Sequence, residues 1–197
     1  MKQLVLASNN PGKLREIEAL LGSRSLEVVA QGELGIPEAE EPHATFLENA
    51  LAKARHASGL SGLPALADDS GLCVHALSGE PGVHSAYYAG REGSREERDA
   101  RNNEKLLSNL REDRAAYYCC VMILVRHPDD PRPLVAEGLW HGEIARAPRG
   151  TNGFGYDPVF LIRELNRTAA ELDPVTKNRI SHRGQALAKL LALLDAC

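Results

Sequence analysis

Strand-like and helix-like hydrophobic patterns alternate along the early part of the chain. Residues 2–7 have the pattern of a short apolar strand. Leu14, Ile17 and residues 20–21 then recur at helical spacing, and Gly22 is expected to end that helix. Residues 26–30 predict a second strand. Such alternation favours an α/β fold, in which helices pack on a sheet.

A long hairpin is predicted later in the chain. Residues 117–125 are rich in β-branched and aromatic side chains, and the turn cluster 127–131 connects them to a second strand at 134–140. The strands of a hairpin are antiparallel, so the sheet is expected to be mixed. We therefore predict a central mixed β-sheet with flanking helices, in a single domain that spans residues 1–197.

Capping signals predict where further helices begin. Thr45 with Glu48, and Ser94 with Glu97, have the spacing of a capping box. A terminal helix is indicated by the leucines that line one face over residues 187–194.

Charge and cysteine usage exclude several classes of protein. The formal net charge is -4, so the chain lacks the basic surplus typical of proteins that bind long nucleic acids. No apolar run approaches the ~20 residues of a membrane span. The four cysteines have no C-x-x-C spacing, which favours reduced thiols and a cytoplasmic protein. They are Cys73, Cys119, Cys120 and Cys197.

Two adjacent carboxylates are the first candidate for chemistry. Asp68 and Asp69 follow an apolar strand at 65–67, and a second strand is expected at 72–77. Ligands of open α/β sheets usually bind where strands end. Buried neighbouring carboxylates repel each other, and magnesium prefers oxygen ligands together with substrate phosphates. The alternative is an Asp-rich turn in which Asp69 or Ser70 bonds its own backbone.

The loop before the first helix has the features of a phosphate-binding end. It consists of Ser8, Asn9, Asn10, Pro11, Gly12 and Lys13. Asn10 suits the N-cap and Pro11 the first helical position, and free N–H groups there would attract an anion. Lys13 adds a positive charge. The spacing is not that of a Walker A loop, and an ordinary capped surface helix is the alternative.

The helix after Thr45 places a lysine where it could enter a cleft. Asn49, Lys53 and His56 share one face of this helix. Glu41, in the acidic loop before the helix, is a candidate metal ligand. Both charged residues could equally be exposed to solvent.

Two later segments have the composition of a base-binding site. Phe154, Gly155, Tyr156 and Asp157 lie in a predicted loop, where glycines let the backbone approach a flat ligand and the rings could stack on it. A tight surface turn is the alternative.

Donors gather near the carboxyl terminus. Lys177 precedes His182 and Arg183 at the start of the last helix. Purines with an oxo group at C6 present the acceptors O6 and N7, which suit arginine. His182 could instead be a helix-start residue with no ligand.

Taken together, these segments resemble the inosine triphosphate pyrophosphatase family, also called the Ham1 family. The resemblance spans nearly the whole chain. Its carriers are residues 8–13, residues 45–50, Lys53, residues 68–72, residues 154–158, Lys177 and residues 181–183. One departure is Pro42-His43, where relatives tend to carry a small residue and glycine, which puts the shape of the Glu41 loop in doubt.

The resemblance implies a fold and an activity. It implies an elongated sheet with two lobes around a substrate cleft, a homodimer, and magnesium-dependent release of pyrophosphate from ITP, dITP, XTP and dXTP. Two rivals remain open. One is the Maf family of nucleotide pyrophosphatases, whose arginine-rich opening is missing here. The other is a non-catalytic nucleotide sensor.

The resemblance also implies residue roles. Residues 8–13 would cradle the triphosphate, and Ser70 would join the substrate-binding residues. Asp69 would be the catalytic acid-base residue and a metal ligand, and Asp68 and Glu41 would support the metal.

The remaining roles concern the base and the phosphates. Residues 154–157, with His182 and Arg183, would recognise the base. Lys53 and Lys177 would meet the phosphates, and Lys53 would take part in catalysis.

Overall fold

A computed structural model describes residues 3–21 and 26–196 of the protein. Gly22, the expected end of the first helix, and Cys197 lie outside these ranges. The described strands are β1 (Gln3–Leu6), β2 (Glu27–Ala30), β3 (Ala65–Val74), β4 (Ala115–Val125), β5 (Leu134–Ile144), β6 (Phe160–Ile162) and β7 (Arg167–Thr168). The described α-helices are α1 (Pro11–Leu21), α2 (Phe46–Ser61), α3 (Arg95–Asn109), α4 (Pro174–Ile180) and α5 (His182–Asp195).

All seven strands belong to one sheet, in the order β2-β1-β3-β4-β5-β6-β7. β1 pairs in parallel with β2 and β3, whereas β6 pairs in antiparallel with β5 and β7. β4 and β5 are neighbours joined by residues 126–133, a connection too short for a parallel crossover. The predicted mixed sheet, hairpin and α/β class are therefore confirmed.

The chain divides into two compact units, which we call unit 1 and unit 2. Unit 1 comprises Met1–Asp69, Cys120–Gly138 and His182–Cys197. Unit 2 comprises Ser70–Cys119 and Leu139–Ser181. The single domain expected over residues 1–197 stays a prediction.

Each unit has its own apolar core. In unit 1 the core includes Leu4, Leu6, Ile17, Leu66, Met122 and Leu187. In unit 2 it includes Leu72, Leu106, Tyr118, Trp140 and Phe160. None of the helices in the described ranges combines the length and apolar character needed to cross a membrane.

The capping signals locate both helix starts, but only one forms a complete box. Ser94 accepts a bond from the Glu97 N–H at 3.2 Å, and the Glu97 carboxylate accepts one from the Ser94 N–H at 2.7 Å. Thr45 caps α2 by accepting a bond from the Glu48 N–H at 3.2 Å, but its hydroxyl donates to the Glu48 carboxylate. The capping box of Thr45 and Glu48 is therefore only half formed.

The strand that carries the two aspartates differs from the prediction. Two strands at 65–67 and 72–77 were expected, with Asp68 and Asp69 between them. Instead β3 is one strand of 10 residues that contains both aspartates, and residues 75–77 form a 3-10 turn. Carboxylates can lie in a buried strand when cationic partners compensate for lost solvation, and both aspartates have such partners.

Gly138 lets the start of α5 approach β5 closely. A Cβ atom added at Gly138 would lie 2.0 Å from the carbonyl oxygen of His182 and 2.7 Å from the Ala186 nitrogen. These are backbone atoms, which cannot move aside as a flexible side chain can. Gly138→Ala is therefore expected to lower the free energy of unfolding by ~1–3 kcal/mol, measured by urea denaturation.

Gly59→Ala is the matched control for Gly138→Ala. Gly59 lies in α2, and its added Cβ would meet nothing closer than a Pro128 atom at 3.8 Å. Alanine has the better helix propensity, so this variant should be unchanged or more stable by up to about 1 kcal/mol. Equal stability of the two variants would contradict the close approach at Gly138.

Candidate active site

Asp68 is a buried carboxylate held between two cations. It is 1% exposed, and its Oδ2 lies 3.0 Å from Lys13 Nζ and 3.2 Å from Arg183 Nη2. Burial alone would raise the pKa of Asp68, but the charges of Lys13, Arg183 and Lys53 outweigh it and hold the pKa below its usual value. Asp68 therefore remains ionised at neutral pH.

Asp69 faces a different environment. Its Oδ1 lies 3.1 Å from Lys53 Nζ, and its Oδ2 accepts a bond of 3.3 Å from Asn49 Nδ2. Burial raises the pKa of Asp69 above its usual value, although the charges of Lys53 and Lys13 oppose that rise. The pKa of Asp68 is thus lowered and that of Asp69 is raised. Asp69 is therefore the carboxylate that accepts a proton more readily.

Two of the three residues predicted to share one face of α2 contact Asp69. Asn49 and Lys53 both contact Asp69, whereas His56 Nε2 lies 3.0 Å from the carbonyl oxygen of Pro37. Burial lowers the pKa of Lys53, but the nearby carboxylates outweigh this effect and raise it overall. Lys53 therefore stays charged.

The loop that carries Glu41 is bonded to α2 at His43. Asn49 accepts a bond of 3.1 Å from the His43 N–H and donates one of 3.2 Å to the His43 carbonyl. Glu41 lies 2.8 Å from Lys53 Nζ, although its side chain is 43% exposed. Lys53 thus bridges Glu41 and Asp69.

The loop before α1 is capped as predicted, with one correction. Asn10 Oδ1 accepts bonds from the Gly12 and Lys13 N–H groups at 3.0 and 3.1 Å, and Pro11 is the first residue of α1. The expectation of free N–H groups is therefore wrong for Gly12 and Lys13, because the cap already uses them. Their donation to a phosphate would require Asn10 to move.

Ser8 and Asn9 complete this loop. Ser8 Oγ accepts a bond of 3.2 Å from the Asn10 N–H, and Asn9 is exposed. The positive charge of the loop comes from Lys13, which already contacts Asp68. Ser70 follows the aspartates in β3, lies in unit 2 and is half-buried. Substrate binding by Ser8, Asn9 and Ser70 stays a prediction.

Arg183 is buried in an ionic network that the sequence did not predict. It is 2% exposed, and its two terminal nitrogens contact Glu16 and Asp68. Glu16 was missed, although its spacing of three residues from Lys13 on α1 placed both on one face. Arg183 holds Asp68 here, and recognition of a base by Arg183 stays a prediction. The same holds for His182, which is 4% exposed.

One carboxylate oxygen of Asp68 is available to bind a cation. Asp68 Oδ1 is buried and has no hydrogen-bond partner among the described residues. Within the described ranges, no three His, Cys, Asp or Glu side chains converge as metal ligands. Magnesium is commonly bound by only one or two carboxylates plus substrate oxygens, so Asp68 and Asp69 fit that ion.

Residues 153–157 in unit 2, which we call the aromatic loop, are held in place by a buried carboxylate. Asp157 is 2% exposed, and its Oδ2 accepts bonds from the Phe154 N–H at 2.8 Å and from Lys177 Nζ at 2.6 Å. Gly153 has φ +77°, and a Cβ there would lie 2.0 Å from the same Oδ2. The turn therefore requires glycine at this position.

The two aromatic residues of this loop have different environments. Tyr156 is 3% exposed, packs in the unit 2 core and donates a bond of 2.8 Å to the Ser85 carbonyl. The expectation that both rings stack on a ligand is therefore wrong for Tyr156. Phe154 is half-buried, and Lys177 Nζ lies 4.9 Å from its ring centroid. A phosphate contact of Lys177 stays a prediction.

Three residues of α3 contact the aromatic loop and were not predicted. Arg95, Asp99 and Asn103 recur every four residues on one helix face. Asp99 and Asn103 bond the backbone of Gly155, and Arg95 lies over the Phe154 ring. Their spacing on a charged helix was visible in the sequence, but it did not identify what they contact.

The chain is similar to a known family of proteins over nearly its whole length. A model of the Ham1 family matches residues 4–193. The dITP/XTP pyrophosphatase of Burkholderia pseudomallei is 64% identical and covers 98% of this chain and 93% of its own length. That of Ralstonia nicotianae is 62% identical and covers 98% of this chain and 97% of its own length.

A solved structure gives the same result. The HAM1 protein from Coxiella burnetii is 49% identical and has a TM-score of 0.91, with 100% of each chain covered. By family match, sequence identity and fold, the chain belongs to the Ham1 family.

Proposed function

We propose that this protein hydrolyses deaminated purine nucleoside triphosphates to the monophosphate and pyrophosphate. The substrates are ITP, dITP, XTP and dXTP. The observation that carries the proposal is the aspartate pair, in which Asp68 contacts Lys13 at 3.0 Å and Asp69 contacts Lys53 at 3.1 Å. The relatives from Burkholderia pseudomallei and Ralstonia nicotianae are both named dITP/XTP pyrophosphatase, which supports this substrate class.

Asp69 is the proposed acid-base residue. Attack of water between the α and β phosphates needs a positioned nucleophile and an acceptor for its proton. Burial raises the pKa of Asp69, which makes it a stronger base than an exposed aspartate. Asn49 and Lys53 fix its two oxygens, so the carboxylate is held in one orientation.

The cations of unit 1 are proposed to receive the phosphates. Lys13 and Lys53 now pair with carboxylates, and a triphosphate would share their charge. Asp68, Asp69 and Glu41 are the residues that would hold magnesium. When bound, the ion would neutralise charge on the phosphate oxygens and the leaving pyrophosphate.

Phe154 is the proposed stacking surface for the base. A half-buried ring on a turn fixed by Asp157 can present a face to a purine. His182 and Arg183 are the proposed donors to an oxo group at C6 of the purine, and Lys177 is proposed to contact the phosphates.

Cytoplasmic location and a homodimer complete the proposal. Among the described residues, Cys73, Cys119 and Cys120 are buried and form no disulfide, as expected in a reducing compartment. The homodimer comes from the family resemblance alone, and analytical ultracentrifugation would test it.

The proposed reaction predicts a specific product and a requirement for magnesium. The protein is incubated with ITP, XTP, GTP and ATP, with magnesium and with excess EDTA, and the products are separated by ion-exchange chromatography. We expect pyrophosphate and monophosphate from ITP and XTP, and loss of turnover when magnesium is removed.

Other outcomes of this experiment would favour one of the alternative functions or contradict the proposed one. Binding of ITP without any product would support the nucleotide sensor, and orthophosphate release would contradict the assignment. Efficient hydrolysis of nucleotides other than ITP and XTP would favour a pyrophosphatase of Maf-like specificity.

A further inference from the structure

One face of α3 lies against the turn that carries Phe154. Asp99 Oδ2 accepts a bond of 2.9 Å from the Gly155 N–H, and Asn103 Nδ2 donates a bond of 2.9 Å to the Gly155 carbonyl. Both polar backbone groups of Gly155 are thus bonded to side chains that lie one helical turn apart. A two-point attachment fixes the orientation of this backbone unit, which a single bond would leave free to rotate.

The same helix face reaches the ring itself. The Arg95 guanidinium carbon lies 4.8 Å from the Phe154 ring centroid, within the range of a cation–π contact. Arg95 Nε also lies 3.9 Å from Asp99 Oδ2. Asp99 therefore orients both the Gly155 backbone and the cation beside the ring.

The turn needs this support because its conformation is unusual. Gly153 and Gly155 have φ values of +77° and +62°, and glycine is the most flexible residue in the unfolded chain and in loops. Asp157 binds the Phe154 N–H from within the turn. The α3 side chains bind the next residue from outside it.

We propose that Asp99 and Asn103 are positioning residues that hold Phe154 in place for the purine base. The inference rests on the proposed function, since it assigns support for the base-stacking ring of that site. Each residue bonds the Gly155 backbone, so the role that we assign to both is to position the turn that carries Phe154. Their effect is therefore confined to binding of the base.

A positioning role predicts a particular kinetic pattern in Asp99→Ala. Loss of the acceptor leaves Gly155 mobile, so KM for ITP should rise about tenfold while kcat changes by less than about threefold. The inhibition constant of the product IMP should rise by the same factor as KM. The inhibition constant of inorganic pyrophosphate, which lacks a base, should not change.

Matched variants separate this role from general destabilisation. Asp99→Asn keeps an oxygen acceptor and should restore KM to within about threefold of the wild type. Glu96→Ala removes an exposed carboxylate from the first turn of the same helix and should leave both constants unchanged. Asn103→Ala should raise KM for ITP and the inhibition constant of IMP together. This variant replaces Asp99→Ala in the test if Asp99→Ala does not fold.

The results separate two kinds of failure. If the wild-type protein does not release pyrophosphate from ITP, the proposed function fails first. If the wild type is active and KM of both folded alanine variants is unchanged, the positioning role is overturned. A parallel rise in the IMP and pyrophosphate constants would also overturn it, because that pattern is a general loss of binding.

Discussion

Asp69→Asn is expected to lower turnover of ITP by ~100-fold or more while the protein stays folded. That factor is the usual contribution of a general base. The amide has nearly the shape of the carboxylate but cannot accept a proton from water at neutral pH. Turnover is measured by pyrophosphate release at saturating ITP and magnesium.

The structure indicates that this loss is catalytic rather than a loss of folding. In Asp69→Asn, Lys53 keeps its contact of 2.8 Å with Glu41, so its charge is not left unpaired. The unfolding midpoint should therefore change little. Asp129→Asn, which alters an exposed carboxylate in unit 1, is the matched control and should retain full turnover. Turnover near the wild-type value in folded Asp69→Asn would exclude the acid-base role.

Arg183→Met is expected to lower the free energy of unfolding by ~3–5 kcal/mol. The arginine is 2% exposed and contacts the half-buried carboxylate of Glu16 and the buried carboxylate of Asp68. Methionine keeps much of the side-chain volume but removes the charge. Two carboxylates then lose a buried cationic partner, and removing one partner of a buried ion pair costs about this much. Urea denaturation followed by circular dichroism measures the change.

The control for Arg183→Met is a second arginine in the same unit. Arg15 lies on α1 and is exposed, so Arg15→Met should change stability by no more than about 0.5 kcal/mol. Glu16→Gln together with Arg183→Met should recover part of the loss, because one of the two carboxylates that lost the arginine is then replaced by a neutral amide. A loss in Arg183→Met no larger than that in Arg15→Met would mean that the buried network contributes little to folding.

Features set by local spacing could be predicted from the sequence. Ser94 and Glu97 form the expected capping box, and Asn10 caps α1 as its type and position indicated. Asn49 and Lys53 share a helix face and both reach Asp69. These features depend on residues a few positions apart, whose geometry is fixed by the helix itself.

Features that depend on burial could not be predicted in the same way. Tyr156 was expected beside a ligand, but its hydroxyl donates to Ser85 in the core. Asp68 and Asp69 were expected after a strand, but they lie within one. A strand can contain charges only if cations from elsewhere in the chain reach them, and local sequence does not report this.

The aspartate pair separates what each level decides. The sequence by itself determined the early alternation of strands and helices, the later hairpin, the capped loop before α1 and the adjacency of the two carboxylates, since these depend on residues close together in the chain. Tertiary structure alone decided that Asp68 pairs with Arg183, which is 115 positions away, and that Asp69 pairs with Lys53. The physical reason is that the pKa of a buried carboxylate depends on desolvation and on charges within a few ångströms, wherever those charges lie along the chain.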